Sequence, residues 1–496
     1  MKFTLGWLKE HLETDATLTE ITDALTDLGL ELEGVEDPAA TLGAFTIARV
    51  IEARQHPNAD RLRVCRVETY PDGPGGRAAE VQVVCGAPNA RTGLVGVFAR
   101  PGLHIPGTGV DLKPGVIRGE ASNGMLCSER ELMLSDAHDG IIELPEDAPL
   151  GARYIDWAGL ADPVIEIAVT PNRPDALGVA GIARDLAARG LGRLVTPAVA
   201  PVAGGFPCPV SVTLADDVAG GACPHFMARL IRGVRNGPSP AWLQRRLRAI
   251  GLRPISALVD VTNLLTFDRA RPLHVFDAAK LRGDLVVRLS RAGESLAALD
   301  GKTYRLDDGM VVIADASGPV SLGGVMGGES TGCDEATTDV LIEAAWFDPV
   351  RTAATGRTLK IVSDARYRFE RGVDPASAGD GIEAATRLIL DLCGGEPSAV
   401  VAAGAAPQAR RSFRLRPGRV ESLVGMAVAP ERQAETLRAL GFAVARDGAD
   451  IVAEPPSWRP DIHGEADLVE EVARIASLTP LAAAPLPGAP TPALSP

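Results

Sequence analysis

The spacing of apolar residues changes along the chain and divides it into segments of different predicted structure. Residues 1 to about 38 have helical spacing, with a capping box at Thr17–Glu20 and a helix stop at Gly29. From residue 39 to 149 short β-like runs alternate with turns such as His56–Asp60. Such a pattern predicts a small β-barrel, and we expect an OB-type fold.

After residue 150 helical and β-like patterns are mixed. The segment from Pro163 predicts a strand, a turn and a helix that ends near Gly190. A larger α+β region follows over 208–400, and its first clear helix has Ser239 as N-cap and Pro240 as N1. Residues 408–482 predict a compact unit of strand, helix, two strands and a last helix that starts near Ala466.

The fold class predicted overall is multi-domain α+β. We expect the last residues, 483–496, to be disordered because they are low-complexity Pro/Ala sequence. The length of 496 residues favours three or four domains, and 46% hydrophobic with 23% charged residues is typical of a soluble globular protein.

Charge and cysteine content narrow the classes of function. A net charge of −14 argues against a chain that coats nucleic acid indiscriminately. Between Arg49 and Arg118, however, ten Arg or Lys stand against six Asp or Glu, which permits a local RNA contact. Seven cysteines form no CxxC pair, and the N-terminus lacks the apolar run of a signal peptide. We therefore expect reduced thiols, a cytoplasmic location and no membrane association.

Four carboxylates near the C-terminal end form one candidate site. On a helix over Ala466–Ile475, Asp467, Glu470 and Glu471 share a face, and Asp461 precedes them. A hard cation such as Mg²⁺ would relieve their mutual repulsion. The alternative that the spacing favours is a solvated acidic face stabilised by the helix dipole.

The region from 252 to 375 places single polar residues and glycines inside apolar runs, as a pocket lining would. His274 is either a catalytic base or a hydrogen-bonded core residue, and Thr262-Asn263 either binds a ligand or caps a turn. The glycines at 324, 327 and 328 either let a backbone approach a substrate, with free N–H groups for an acyl oxygen, or form a strand bulge.

Glu343 lies in a strongly apolar predicted strand, so its carboxylate needs a partner. The partner is either a ligand hydroxyl or one of the arginines at 366, 368 and 371. The alternation Arg366-Tyr367-Arg368-Phe369 predicts a strand, packed with charged outer positions or facing RNA. No P-loop, GxGxxG, HIGH or KMSKS motif is present.

Taken in order, these segments resemble the family of bacterial phenylalanyl-tRNA synthetase β subunits, from Met1 to about Leu478. The resemblance is carried by the following segments: MKFTLGWLKEHL, HPNADRLRVCRV, VTPNRPDALGVAGIARDLAA, VDVTN with PLHVFD, SDARYRFERGVDP and PSWRPDIHGEADLVEEVARI. It implies a split N-terminal domain (1–38 plus 150–200), an inserted OB-fold tRNA-binding domain (39–149), a central editing domain (208–400) and a small domain of DNA-binding-like fold (408–482).

The resemblance also implies the site residues. A magnesium site falls on Asp461, Asp467, Glu470 and Glu471. The editing pocket falls on the following residues: Thr262, Asn263, His274, Gly324, Gly327, Glu343 and Ala365. Glu343 is expected to read the phenol of a misattached tyrosine, because a pocket shaped for phenylalanine rejects an added hydroxyl only about a hundredfold. His274 is expected to help place the hydrolytic water.

The activity implied is ATP-dependent attachment of phenylalanine to tRNA(Phe), with hydrolysis of Tyr-tRNA(Phe). The implied partners are tRNA(Phe) and an α subunit in an α2β2 tetramer, where the α subunit activates the amino acid. Family members run several hundred residues further, through a catalytic-like module and an anticodon-binding domain. Two other functions stay open: a free-standing editing deacylase and a non-catalytic tRNA-binding module.

Overall fold

A computed structural model describes residues 1–407 and 411–482 of the chain. The chain forms two compact units. The small unit is Val35–Val164, and the large unit combines Met1–Gly34 with the chain from Ile165 onward. The disorder expected for 483–496 concerns residues outside the described ranges.

The N-terminal segment contains two helices and three short strands: β1 (Lys2–Thr4), α1 (Leu5–Lys9), β2 (Leu12–Glu13), α2 (Leu18–Asp27) and β3 (Leu32–Glu36). The predicted capping box at the start of α2 is confirmed. The backbone N–H of Thr17 donates to Glu20 at 2.8 Å, and that of Glu20 donates to Thr17 Oγ1 at 3.3 Å. Gly29 follows with φ of +82°, a conformation that favours glycine and ends the helix.

The small unit is mainly antiparallel sheet. Its elements are α3 (Pro38–Leu42), β4 (Thr46–Gln55), β5 (Arg63–Thr69), β6 (Ala79–Cys85), β7 (Val95–Ala99), β8 (His104–Ile105), β9 (Val110–Asp111), β10 (Gly115–Ile117), β11 (Glu120–Ser122), β12 (Met125–Leu126), β13 (Glu143–Leu144) and α4 (Tyr154–Trp157). Six strands form a half-barrel sheet in the order β12-β7-β4-β5-β6, with β13 also on β7. Its apolar side chains alternate between two core clusters.

The large unit resumes with β14 (Val164–Ile167), a 3-10 turn (Pro174–Leu177), α5 (Val179–Arg189) and β15 (Arg193–Leu194). This order matches the strand, turn and helix predicted from Pro163. β14 lies between β1 and β3, so the two distant segments share one sheet. The amphipathic face of α5 packs into the same core as α1 and α2.

Two five-stranded sheets, one two-stranded sheet and five longer helices form the central region. Its elements are β16 (Val212–Leu214), α6 (Asp216–Ala219), β17 (His225–Arg232), α7 (Ala241–Ala249), α8 (Ala257–Arg269), β18 (His274–Asp277), β19 (Leu285–Leu289), β20 (Ser295–Ala297), β21 (Thr303–Arg305), β22 (Val311–Asp315), β23 (Gly318–Leu322), β24 (Met326–Gly327), β25 (Asp339–Trp346), α9 (Pro349–Leu359), α10 (Asp364–Phe369), α11 (Ala378–Cys393), β26 (Glu396–Pro397) and β27 (Val401–Gly404), with 3-10 turns at Ala278–Lys280, Glu329–Thr331 and Pro375–Ser377.

One sheet has the order β16-β19-β22-β23-β24, and the other has β18-β25-β17-β26, with β27 also on β17. A core rich in phenylalanine fills the layer between the sheets, where Phe276, Leu341 and Ala345 meet Val287 and Ile313. Helices α8 and α11 cover the other face of the β18-β25-β17 sheet. Successive residues of β18 and β25 therefore point into two different layers.

Two predictions of local structure in this region are wrong. Pro240, and not Ser239, is the N-cap of α7, and Ser239 Oγ donates instead to buried Asp260 at 2.5 Å. Arg366–Phe369 belongs to helix α10 and is not a strand. Ser363 caps that helix by accepting a hydrogen bond from the Arg366 backbone at 3.1 Å, a signal that four alternating residues obscured.

The C-terminal part follows the predicted order, with one short helix added. It contains β28 (Phe413–Leu415), α12 (Gly418–Val424), α13 (Pro430–Ala439), β29 (Ala443–Asp447), β30 (Asp450–Glu454) and α14 (Glu465–Ala476). The helix that the sequence did not predict is α12. None of the helices in the described ranges has an apolar stretch of the length that a bilayer crossing requires.

Candidate functional site

His274 and Glu343 face each other across the antiparallel pair β18–β25. They alternate with Val275 and Ile342, which point toward α8, so both lie on the side of the sheet that faces the second sheet. A sequence distance of about 70 residues is thus closed by a strand register. The structure thus places these two predicted residues opposite each other on one face of the sheet.

The carboxyl group of Glu343 is buried in this layer, with 6% of the residue exposed. Burial raises the pKa of Glu343 to about 7, and the positive charge of Arg271 opposes the rise. Among the described residues no Lys, Arg or His nitrogen lies within 4.0 Å of this carboxylate. It is therefore a hydrogen-bonding group without an internal ion pair.

The three arginines considered as partners of Glu343 have other contacts, so that alternative is wrong. Arg366 donates to Glu370 at 3.0 Å, and Arg371 donates to the same carboxylate at 2.9 Å. Arg368 donates to the carbonyl of Leu177 and to Asp364. None of these contacts involves Glu343.

The imidazole of His274 is uncharged at neutral pH. Desolvation lowers the pKa of His274 to about 4, and its buried Nε2 has no hydrogen-bond partner among the described residues. The ring meets Phe276 edge to face, with centroids 4.5 Å apart. A neutral, unpartnered ring nitrogen can accept a hydrogen bond from a water and hold that water in place.

Gly327 lies against this ring. A Cβ on Gly327 would lie 2.3 Å from Cε1 of His274, so only glycine allows the backbone to approach so closely. Gly324 has φ of +69° and packs against Phe347 and Phe369. The glycines at 324 and 327 therefore permit close packing against side chains of the protein itself, and the approach of this backbone to a substrate stays a prediction.

The free N–H groups expected between Gly324 and Gly328 are not all free. The N–H of Gly328 donates to the carbonyl of Val320 at 2.8 Å, and that of Val325 donates to Leu322 at 3.0 Å. These two groups complete the pairing around β24. They would have to break those bonds before they could bind an acyl oxygen.

The remaining predicted residues lie on two other elements. Ala365, on α10, packs against the inter-sheet core that contains Phe276. Thr262 and Asn263 lie on α8, which packs against the opposite face of the sheet, and Thr262 Oγ1 donates to the carbonyl of Val259 at 2.7 Å. The structure thus brings together His274, Glu343 and Gly327, and the part of Thr262 and Asn263 in the pocket stays a prediction.

Arg271 is the residue near the site that the sequence did not single out. It is 1% exposed, and Nη2 donates to the carbonyl of Ala345, two residues beyond Glu343 on β25. A single arginine in the apolar context RPLHVF was a signal of the same kind as His274. Cys223 is a second residue near the site that the sequence did not single out. Burial raises the pKa of its thiol, and the negative charge of Glu343 adds to the rise.

The four carboxylates near α14 have a different environment from the one that magnesium would need. Asp461 accepts from Nε and Nη2 of Arg459 at 2.9 and 2.7 Å. Both oxygens of Glu471, which is 1% exposed, accept from Arg459 and Arg474. Burial alone would raise the pKa of Glu471, but these two guanidiniums outweigh it and hold the pKa well below its usual range.

The other two carboxylates do not complete a metal site. Oδ2 of Asp467 accepts from the backbone N–H groups of His463 and Gly464 at 2.7 and 2.9 Å, and Glu470 is exposed. Within residues 1–407 and 411–482, no three His, Cys, Asp or Glu side chains gather as metal ligands. This donor set does not fit Mg²⁺ while Glu471 stays on its arginines, so the magnesium site stays a prediction.

In the small unit, part of the local arginine excess is neutralised on the sheet. Arg66 pairs with Glu52 at 3.0 Å and with Glu80 at 2.5 Å, and Arg54 pairs with Glu120 at 3.3 Å. Away from these pairs, Arg118 is exposed at the β10–β11 hairpin. The predicted turn after β4 holds that hairpin, because His56 Nε2 contacts the carbonyl of Ile117 at 3.0 Å.

Comparisons with protein families match three segments of the chain. Residues 45–153 match the putative tRNA binding domain, residues 222–394 the B3/4 domain, and residues 413–477 the tRNA synthetase B5 domain. The B3/4 match contains the His274–Glu343 pair, and the B5 match contains the four carboxylates.

Similar curated proteins cover the whole chain. The phenylalanine--tRNA ligase beta subunit of Cereibacter sphaeroides is 65% identical over 500 residues, which are 100% of this chain and 62% of that protein. The proteins of the same name from Ruegeria pomeroyi and Rhodospirillum rubrum are 59% and 57% identical, over 100% and 99% of this chain and 62% and 61% of theirs.

A solved N-terminal fragment of the phenylalanyl-tRNA synthetase beta subunit from Pyrococcus horikoshii is 14% identical, with a TM-score of 0.34 over 64% of this chain and 88% of that one. A likeness that weak carries no argument. Family membership rests instead on the high identity to the curated relatives. The chain spans only 62% of the length of the first of them. The chain belongs to the family of phenylalanine--tRNA ligase beta subunits.

Proposed function

We propose that this chain serves a phenylalanyl-tRNA synthetase as its β subunit and that the layer around His274 and Glu343 hydrolyses Tyr-tRNA(Phe). The observation that carries the proposal is the state of Glu343: a buried carboxyl with a pKa of about 7 and no internal ion pair. A buried group of this kind is costly unless a ligand satisfies it.

The phenol of a tyrosyl ester supplies the missing donor. Its O–H donates to Glu343, whereas a phenylalanyl ester leaves the carboxylate buried and unpaired. Selection in this site is thus the reverse of selection in a pocket shaped for phenylalanine, where the extra hydroxyl is a weak discriminator.

Hydrolysis needs a water and a place for it. The unpartnered Nε2 of His274 holds the water beside the ester carbonyl, and the close approach of Gly327 fixes the ring. The water oxygen bonds to the acyl carbon, the ester C–O bond breaks, and the leaving ribose oxygen takes up a proton. Magnesium takes no part in this step, because Arg459 and Arg474 already neutralise Glu471.

The wider role follows from the family. Attachment of phenylalanine to tRNA(Phe) with ATP would take place on an α subunit in an α2β2 tetramer. Binding of tRNA would use the small unit, where the exposed Arg118 hairpin is the proposed contact. Salt-dependent tRNA binding that weakens in Arg118→Ala tests that part.

The editing proposal is tested by mixing the chain, alone and with an α subunit, with Tyr-tRNA(Phe) and following release of tyrosine. We expect release by the assembled enzyme and at least about a tenfold loss in His274→Ala. Release by the chain alone would make it a free-standing deacylase. Binding of tRNA with no release in either mixture would make it a tRNA-binding module and overturn the editing proposal.

A further inference from the structure

A cavity of about 190 Å³ lies in the large unit, and four guanidinium groups line it: Arg184, Arg269, Arg271 and Arg368. The indole of Trp458 forms part of the wall, with Cζ of Arg184 lying 4.2 Å from the ring centroid. The cavity involves none of the residues predicted for editing or for magnesium.

Two of the guanidiniums have N–H groups without hydrogen bonds. Nε of Arg271 and Nη1 of Arg184 are both buried, and neither has a hydrogen-bond partner among the described residues. Arg271 is 1% exposed, and Nη1 of Arg184 is 3.7 Å from Asp175, beyond hydrogen-bond distance. An unsatisfied buried donor is unfavourable, and two beside one cavity indicate an acceptor that enters it.

The other two guanidiniums are already occupied. Arg269 donates to the carbonyl of Pro197 at 3.0 Å and pairs with Asp268. Arg368 donates to the carbonyl of Leu177 at 3.1 Å and to Asp364 at 3.2 Å. The charge of the cavity is therefore decided by Arg184, Arg271 and the acids that face them.

Four acids act on these two cations through space: Asp175, Asp185 and Asp374 on Arg184, and Glu343 and Asp374 on Arg271. Asp185 is held by Arg173 and Arg474, and Glu343 forms no ion pair within the described ranges. Asp175 is held by Nε and Nη2 of Arg173, both at 3.0 Å. Asp374 acts on Arg184 and Arg271 through space, yet within the described ranges it forms no ion pair within 4.0 Å, and Asp380 is exposed to solvent. Desolvation lowers the pKa of Arg184 below its usual value. It lowers the pKa of Arg271 to about 10, as expected of positive charge that the neighbouring acids only partly compensate.

We infer that this cavity is a binding site for a small oxyanion, a carboxylate or a phosphate, held by Nε of Arg271 and Nη1 of Arg184. Guanidinium donors match the oxygens of both groups, and such charge-assisted hydrogen bonds are strong. Arg271 also donates to the carbonyl of Ala345 on β25. A bound anion would therefore contact the same arginine that holds the strand of Glu343.

Trp458 supplies the readout. The full chain is titrated with sodium phosphate and, separately, with sodium acetate at constant ionic strength, with sodium chloride as the reference anion. Tryptophan fluorescence and melting temperature are followed. We expect a saturable change with at least one oxyanion, absent with chloride, and loss of the fluorescence change in Trp458→Phe.

The variants separate this site from surface binding. Arg271→Gln and Arg184→Gln should each raise the dissociation constant by at least about tenfold. Arg432→Gln, which removes an exposed charge on α13, should leave it unchanged. Arg184 is the more exposed of the two, so its variant tests the site even if Arg271→Gln does not fold.

Saturation by phosphate alone or by acetate alone would support the site and identify the class of its ligand. Saturation by neither, an equal response to chloride, or wild-type affinity in Arg184→Gln would overturn the inference. None of these outcomes depends on editing activity.

Discussion

Arg459 binds Glu471 with two guanidinium nitrogens, and one of these bonds, from Nη2 to Oε1, measures 2.9 Å. Arg474 binds the same carboxylate and continues to Asp185 on α5 at 2.8 Å. Arg173 then joins Asp185 to Asp175. A buried chain of alternating charges thus ties α14 to the segment around α5, within one unit but nearly 300 residues apart in sequence.

We predict that Glu471→Gln lowers the free energy of unfolding by about 3–5 kcal/mol, because it leaves buried arginines uncompensated. Chemical denaturation of the full chain measures this. Glu465→Gln is the matched control, since Glu465 pairs with Arg416 at an exposed site and should cost less than about 1 kcal/mol. Equal effects of the two substitutions would show that the buried network adds no stability.

The same geometry predicts the response to magnesium. Added Mg²⁺ should shift the melting temperature of the wild type by no more than it shifts that of Asp467→Asn. The reason is that Glu471 and Asp461 are held by arginine. Thermal unfolding with and without Mg²⁺ at constant ionic strength is the measurement. A rise of several degrees that Asp467→Asn abolishes would restore the magnesium site.

A substitution at Gly327 tests the approach to His274. In Gly327→Ala the new Cβ would lie 2.3 Å from the imidazole, so we expect a loss of about 1–3 kcal/mol in stability and slower release of tyrosine from Tyr-tRNA(Phe). Gly221→Ala is the control, because no heavy atom lies within 4 Å of its Cβ. Full activity and stability in Gly327→Ala would mean that the ring is free to move.

The raised pKa of Glu343 predicts a pH dependence. The folded state binds this proton more tightly than the unfolded state, so the stability from Glu343 is complete below pH ~4.3 and is lost as pH rises toward about 7. Glu343→Gln removes this loss. Between pH 5 and pH 8 the free energy of unfolding of the wild type should therefore fall by about 2–3 kcal/mol more than that of the variant.

Chemical denaturation of both proteins at several pH values between 5 and 8 gives this difference. Groups common to the two proteins cancel in it. A difference that does not change with pH would show that Glu343 has an ordinary pKa in the folded protein.

Local signals allowed much of the fold to be predicted. Thr17 and Glu20 bond to each other, and the helix that they cap formed as expected. The strand-like alternation at Arg366–Phe369 failed because it is only four residues long, and the capping hydrogen bond from Arg366 to Ser363 favours a helix. The short helix Gly418–Val424 begins at a proline without a side-chain cap, so it gave no clear start signal.

Contacts between distant segments could not be predicted from the local sequence pattern. Glu343 was recognised as a carboxylate that needs a partner, and the arginines at 366, 368 and 371 were considered for it. The positive charge that acts on it comes instead from Arg271, about 70 residues before it, without an ion pair. The acidic face at 467–471 was likewise correct as helix geometry. Glu471 is neutralised by Arg459 and Arg474. The directions of these two side chains depend on tertiary packing, which the local sequence pattern does not give.

The central claim is that Glu343 distinguishes a tyrosyl from a phenylalanyl ester, and the ratio of the two hydrolysis rates tests it most directly. Both rates are measured on tRNA(Phe) esters with the assembled enzyme, in the wild type, in Glu343→Ala and in the exposed control Glu396→Ala. We predict that the preference for the tyrosyl ester falls by at least about tenfold in Glu343→Ala and is unchanged in the control. An unaltered preference in Glu343→Ala would contradict the account.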